Sequence, residues 1–177
     1  MSPEEREASI KRLTEQQAVS ITKYMIDRLE DKLPEDSIPE GKEQQVQALS
    51  LLLKEYGHDI DTNKLNSSTE LNEKDVGLAA KNLLLILSTD KDPEVVSRLD
   101  KWLEKPPIEG KASIDSLLTV VPIVLTGCFA LLTVTSGIRY EDGKWFYNPM
   151  QARELVKDNV SAVADVIKSL FSSVRNT

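Results

Sequence analysis

The apolar positions of this chain fall at helical spacing in five stretches and merge into one uninterrupted apolar run between them. Ile21, Met25, Leu29 and Leu33 form one i+4 ridge, widened by Val19 and Ile26, which predicts a helix continuous from Pro3 to Leu33. Ser2-Pro3-Glu4-Glu5 supplies its N-cap, a proline at the first helical position and acids facing the dipole, and Pro34 stops it. Residues 34–41 read as a loop. Val46, Leu49, Leu53 and Tyr56 predict a second helix over 42–56, with Gly57 as its C-cap. After a polar stretch over 58–70, Asn72 caps a third helix, 73–88. It is apolar on nearly every side from Val76 to Leu87, the mark of a central, buried helix. Asp92-Pro93-Glu94 opens a short fourth helix carrying Val95, Val96, Leu99, Trp102 and Leu103, and Pro106-Pro107 end it. Residues 105–112 form the best linker candidate.

Asp115 and Arg139 then bracket 23 residues without a charge, SLLTVVPIVLTGCFALLTVTSGI. Three structures suit such a run. A membrane span needs about 20 predominantly apolar residues. A helix over 116–138 would reach about 34 Å at about 1.5 Å per residue. The same run suits a central helix of a bundle, coated by amphipathic neighbours. Its Val, Ile and Thr content also allows strands, VVPIVL and CFALLTVT, with turns at Thr126-Gly127 and Ser136-Gly137, although Pro122 restricts the first to a sheet edge. The flank favours lipid. Tyr140, Trp145, Phe146 and Tyr147, four of the nine aromatic residues in the chain, follow the run closely, where interfacial anchors concentrate.

IRY-EDG-KWFY predicts a β-hairpin over about 138–147 turning at Asp142-Gly143. Asn148-Pro149 starts a last helix reaching about Val174. Val156, Val160, Val163, Ile167, Leu170 and Val174 form a heptad-like seam on it, thickened by Leu155, Val166 and Phe171. Its opposite face mixes signs, which suits water and a protein partner better than a lipid surface. The expected fold is therefore mainly α: a bundle of five to six helices with one long apolar helix and a small β-hairpin. It divides into an amphipathic helical region, 1–105, and a unit of apolar segment, hairpin and amphipathic helix, 113–177.

Composition narrows the function. The net charge of −7 and pI near 4.9 argue against nucleic acid or anionic lipid as a broad contact, and no basic block occurs in the sequence. One cysteine, Cys128, cannot form an internal disulfide, and with one histidine, His58, a four-ligand Cys/His zinc site is excluded within the chain. The polar, acidic N-terminus does not read as a secretory or transit signal.

The stretch Asp59 to Glu70 places oxygen side chains at positions 1, 3, 5, 9 and 12 of a twelve-residue loop, which resembles the ligand spacing of a calcium-binding EF-hand. It departs at position 6, Lys64, where the turn wants Gly, and at position 8, Asn66, where an apolar residue is usual. A polar interhelical loop accounts for the same residues, and neither metal nor cofactor is expected. Cys128, inside the apolar run, is expected to be a protonated, inert thiol, so a Cys128–His58 dyad does not recommend itself. No P-loop, G-x-G-x-x-G or G-x-S-x-G run occurs.

The pattern thus points to a non-enzymatic, membrane-associated protein. A cytoplasmic helical region would be coupled to an apolar helix that spans or conditionally enters a bilayer, with Tyr140, Trp145, Phe146 and Tyr147 as anchors. The alternative is a soluble, cytoplasmic helical adaptor that binds a partner protein through the Val156, Val160, Val163, Ile167 and Leu170 seam or through the face of the first helix.

Overall fold

The computed structural model describes residues 1–30, 32–33, 37–66, 72–107, 117–146 and 153–170. Among them the chain forms eight helices and a two-stranded antiparallel sheet, so it is mainly helical with one small hairpin. The helices are α1 (Pro3–Arg12), α2 (Glu15–Glu30), α3 (Lys42–Glu55), α4 (Thr62–Asn66), α5 (Glu73–Leu87), α6 (Pro93–Glu104), α7 (Leu117–Ser136) and α8 (Arg153–Ser169). The strands are β1 (Arg139–Glu141) and β2 (Lys144–Phe146).

Two helices exceed the five to six expected, and each has a local cause. The continuous helix over 3–33 is broken at Leu13, whose backbone is extended (φ −61°, ψ 145°). Thr14 then starts α2 with a capping box: Thr14 Oγ1 accepts from the Gln17 N–H at 3.2 Å, and Gln17 Oε1 accepts from the Thr14 N–H at 3.1 Å. The additional α4 is a single short helix in the polar stretch, nucleated by Asp61. The other expected caps are in place. Ser2 and Glu5 form a reciprocal box, Asn72 accepts from the Asp75 N–H at 2.9 Å, and Asp92 accepts from the Glu94 N–H at 2.9 Å. Gly57 (φ 84°) ends α3 in a Schellman motif, its N–H bonded to the Lys54 carbonyl at 3.0 Å and that of His58 to the Leu53 carbonyl at 2.8 Å.

The strand reading of the apolar run is overturned, because it folds as α7. Gly137 (φ 68°) closes that helix with a bond from its N–H to the Thr133 carbonyl at 3.1 Å. The helix therefore stops short of the full 116–138 run, and Ile138 leads instead into the hairpin. Among the described residues no helix is long and apolar enough to cross a membrane.

α5 and α7 form the centre. α7 is packed by α2, α3, α5, α8 and β1, while α5 is packed by α1, α2, α6, α7 and α8. One hydrophobic cluster runs from Ile10 to Leu170 and takes side chains from both sides of the 105–113 boundary. Val124, Leu125, Cys128, Ala130 and Leu132 of α7 are fully buried in it, with Val121, Phe129 and Leu131 nearly so. Small residues permit this density. A Cβ on Gly77 of α5 would collide with the side chain of Glu15 and lie 2.9 Å from its Cα, at the start of α2. Cross-helix polar ties set the register: Gln45 donates to Thr126 Oγ1 (3.1 Å), and Asn82 to Ser169 Oγ (2.8 Å).

α1 is held to α6 by Arg6, which is buried and donates to both carboxylate oxygens of Asp100 at 2.6 and 2.9 Å and to the Met1 carbonyl at 3.0 Å. These bonds hold the Asp100 carboxyl below its usual range and raise the Arg6 guanidinium further.

Two tests follow from this packing. Gly77→Ala gains about 1 kcal/mol of helix propensity but forces α2 away from α5, so a net loss of about 1–3 kcal/mol is expected in a denaturant titration. Asp100→Asn is expected to cost about 1–3 kcal/mol at neutral pH. Because the folded-state value of Asp100 is lowered, its contribution is full above the unfolded value near 4 and is lost as pH falls through the folded one. The stability gap between wild type and Asp100→Asn should therefore close in acid.

Candidate functional site

The residues nominated from sequence as membrane anchors separate into two groups. The turn at Asp142-Gly143 (φ 51° and 77°) is type I′ and pairs Tyr140 directly with Trp145. Strand alternation then puts both rings on one face. Trp145 stacks on Phe129 of α7 (centroids 5.3 Å, planes at 7°), and Tyr140 meets both rings edge-on at 5.3 and 6.0 Å. Trp145 Nε1 donates to the Ala48 carbonyl of α3 at 2.8 Å. These two aromatics pin the hairpin to α7 and α3. Phe146 points the other way and is exposed, while Tyr147 lies outside the described residues.

The seam nominated for a partner is occupied by the chain itself. Val156, Val160, Val163, Ile167 and Leu170 are 0–5% exposed, where α8 packs on α5 and α7. A heptad-like stripe records only that a helix buries one side; it carries no mark of whether the covering surface is internal or foreign.

The remaining candidates for chemistry resolve into structural roles. Asp61 Oδ1 accepts from the N–H groups of Asn63 and Lys64 at 3.1 and 3.2 Å, so the carboxylate at the third calcium-loop position caps α4, with Leu65 buried beneath. Ser67 and Glu70 lie outside the described residues. Among the described residues no group of three or more His, Cys, Asp or Glu is placed to hold a metal ion. Burial pushes the Cys128 thiol up to about 12. The His58 ring instead meets Ser161, Nε2 to Oγ, at 3.2 Å. A serine nucleophile needs a donor pair for the oxyanion as well as a base. Ser161 lies mid-helix in α8, where backbone N–H groups are already committed, so this contact reads as a tie between the end of α3 and α8.

The feature that the sequence reading missed is a groove of about 980 Å³ between α2 and α6. On α2, Tyr24 and Arg28 are one turn apart. On α6, Glu94, Arg98 and Trp102 follow i+4 steps, and Lys101 and Lys105 repeat that step beside them. Tyr24 and Trp102 stack face to face across the groove, centroids 4.4 Å apart and planes at 5°. Tyr24 remains 46% exposed, above a buried Met25. A smaller extension adds Leu29, Val95 and Lys32. Lys32 binds Asp92 at 2.8 Å and approaches Glu94 at 3.8 Å, and Arg98 binds Glu94 at 2.6 Å. The Lys32–Asp92 contact raises the lysine and lowers the carboxyl. The sequence shows no basic block, yet two helices bring Arg28, Arg98, Lys101 and Lys105 to one site. The available signal was weak: Tyr24 lies off the Ile21–Met25–Leu29 ridge, an aromatic placed where the helix has no need of one.

No protein-family model, curated protein or solved structure matches the chain.

The hairpin geometry makes a direct test. Trp145→Ala is expected to cost about 2–4 kcal/mol by removing the stack on Phe129 and the bond to Ala48. Phe146→Ala should change stability by less than about 0.5 kcal/mol. Thermal or denaturant unfolding of the two variants checks the contrast.

Proposed function

We propose that this chain is a non-enzymatic helical adaptor that docks a partner protein in the groove between α2 and α6. The half-exposed Tyr24 stacked on Trp102, in a groove with more cations than carboxylates, supports this reading. Tyr, Trp and Arg are the residues that most often carry binding energy at protein interfaces. In this reading region 1–105 carries the docking face, and the 113–177 unit supplies the central helix α7 that α2 packs against.

A photoreactive amino acid at Lys101 tests the proposal inside the natural host. A discrete protein adduct from position 101, absent when the same group replaces Leu51 on the exposed side of α3, is the expected outcome. Equal labelling from both positions, or none from position 101, would overturn it.

Conditional bilayer entry is the second reading, favoured by the uncharged character of α7 at the centre of the bundle. It requires α7 to leave α2, α3, α5 and α8, and dye release from phosphatidylcholine–phosphatidylglycerol vesicles by the purified chain would support it. Vesicles that stay sealed at neutral and acid pH would end it.

A further inference from the structure

Resting on the docking reading above, we propose that the α2–α6 groove takes a short acidic protein segment carrying one aromatic or aliphatic anchor residue. Charge is the first reason. The chain as a whole carries −7, but the groove and its extension gather Arg28, Arg98, Lys101, Lys105 and Lys32 around Asp27 and Glu94. Glu94 is already engaged by Arg98 and Lys32. Among the described residues Arg28, Lys101 and Lys105 form no direct ion pair, and five cations border the groove and its extension against two carboxylates, Asp27 and Glu94, so positive charge is in excess there. Carboxylates spaced along a segment can reach them, and the local field would steer such a segment in from solution.

The aromatic pair is the second reason. Trp102 fixes the Tyr24 ring by stacking on one face. The exposed remainder of that ring, beside Met25, is a preorganised platform for one large apolar side chain. The volume of about 980 Å³ stands at the upper end of the roughly 300–1,000 Å³ range of small-molecule sites.

A nucleic acid fits less well. Its closely and regularly spaced phosphates would meet Asp27 and Glu94 in the groove. Isolated carboxylates can be placed between those two groups.

The test pans a phage-displayed library of random peptides, about sixteen residues long, on the full chain. Enriched peptides are then measured by fluorescence polarisation against wild type and a Lys101→Glu/Lys105→Glu variant whose fold is checked by circular dichroism. The expected result is a consensus with excess Asp and Glu around a Trp, Phe or Leu. Affinity should fall about tenfold or more in the double variant and weaken with added salt. Enriched peptides that lack acidic excess, but lose binding on Tyr24→Ala, would overturn the acidic occupant and leave the docking site standing. Peptides insensitive to both sets of substitutions, or no enrichment, would overturn both. An oligothymidylate that binds more tightly than the peptides and is lost in the double variant would replace the peptide with a nucleic acid.

Discussion

The burial of α7 governs the rest of this structure. Its described side chains include six large apolar groups, Val121, Val124, Leu125, Phe129, Leu131 and Leu132, none more than 1% exposed. At about 1.5–3 kcal/mol each, their transfer from water is worth on the order of 10 kcal/mol. That equals the whole net stability of an ordinary domain, about 5–15 kcal/mol. A helix of this composition cannot rest on the surface in water. Most of its surface must be enclosed, and enclosing it recruits α2, α3, α5, α8 and the hairpin. The seam of α8 and the ridge of α2 are apolar because they line this enclosure.

The same constraint explains the polar groups found inside. Thr22, fully buried, donates to the Ala18 carbonyl at 2.7 Å, which satisfies its hydroxyl within its own helix. Gln45 reaches Thr126, Asn82 reaches Ser169 and Trp145 reaches the Ala48 carbonyl, each linking elements far apart in sequence. Apolar contact alone tolerates sliding of one helix past another, whereas a buried donor has one acceptor position and holds the register. Glycine at 77 then lets α5 approach the start of α2 more closely than any side chain would allow.

With the core taken up by enclosure, function falls to what is left outside. The α2–α6 groove lies over buried residues by which the two helices hold to the bundle, Met25 and Leu29 on α2 and Val95 and Leu99 on α6. The scaffold therefore presents Tyr24, Trp102 and the surrounding cations on rigid elements. Such a site loses little entropy on binding.

Much of the architecture can be read from residue order alone, for local reasons. Ser2, Asn72 and Asp92 are caps because their side chains bond N–H groups two or three residues on. Gly57, Asp142 and Gly143 adopt positive φ where a helix end and a type I′ turn demand it. The break at Leu13 was equally local, since Thr14-Glu15-Gln16-Gln17 carries a capping box, but no proline or glycine between Pro3 and Leu33 marks a stop there. Tertiary structure decided what covers each apolar surface. Periodicity states that a stripe must be buried and is silent on whether lipid, a partner or the chain's own helices do it, because the free energy of leaving water is nearly the same for all three. Only the packed fold turns Val156 to Leu170 into core, turns Tyr140 and Trp145 into clamps on Phe129, and brings cations from two distant helices around one exposed ring.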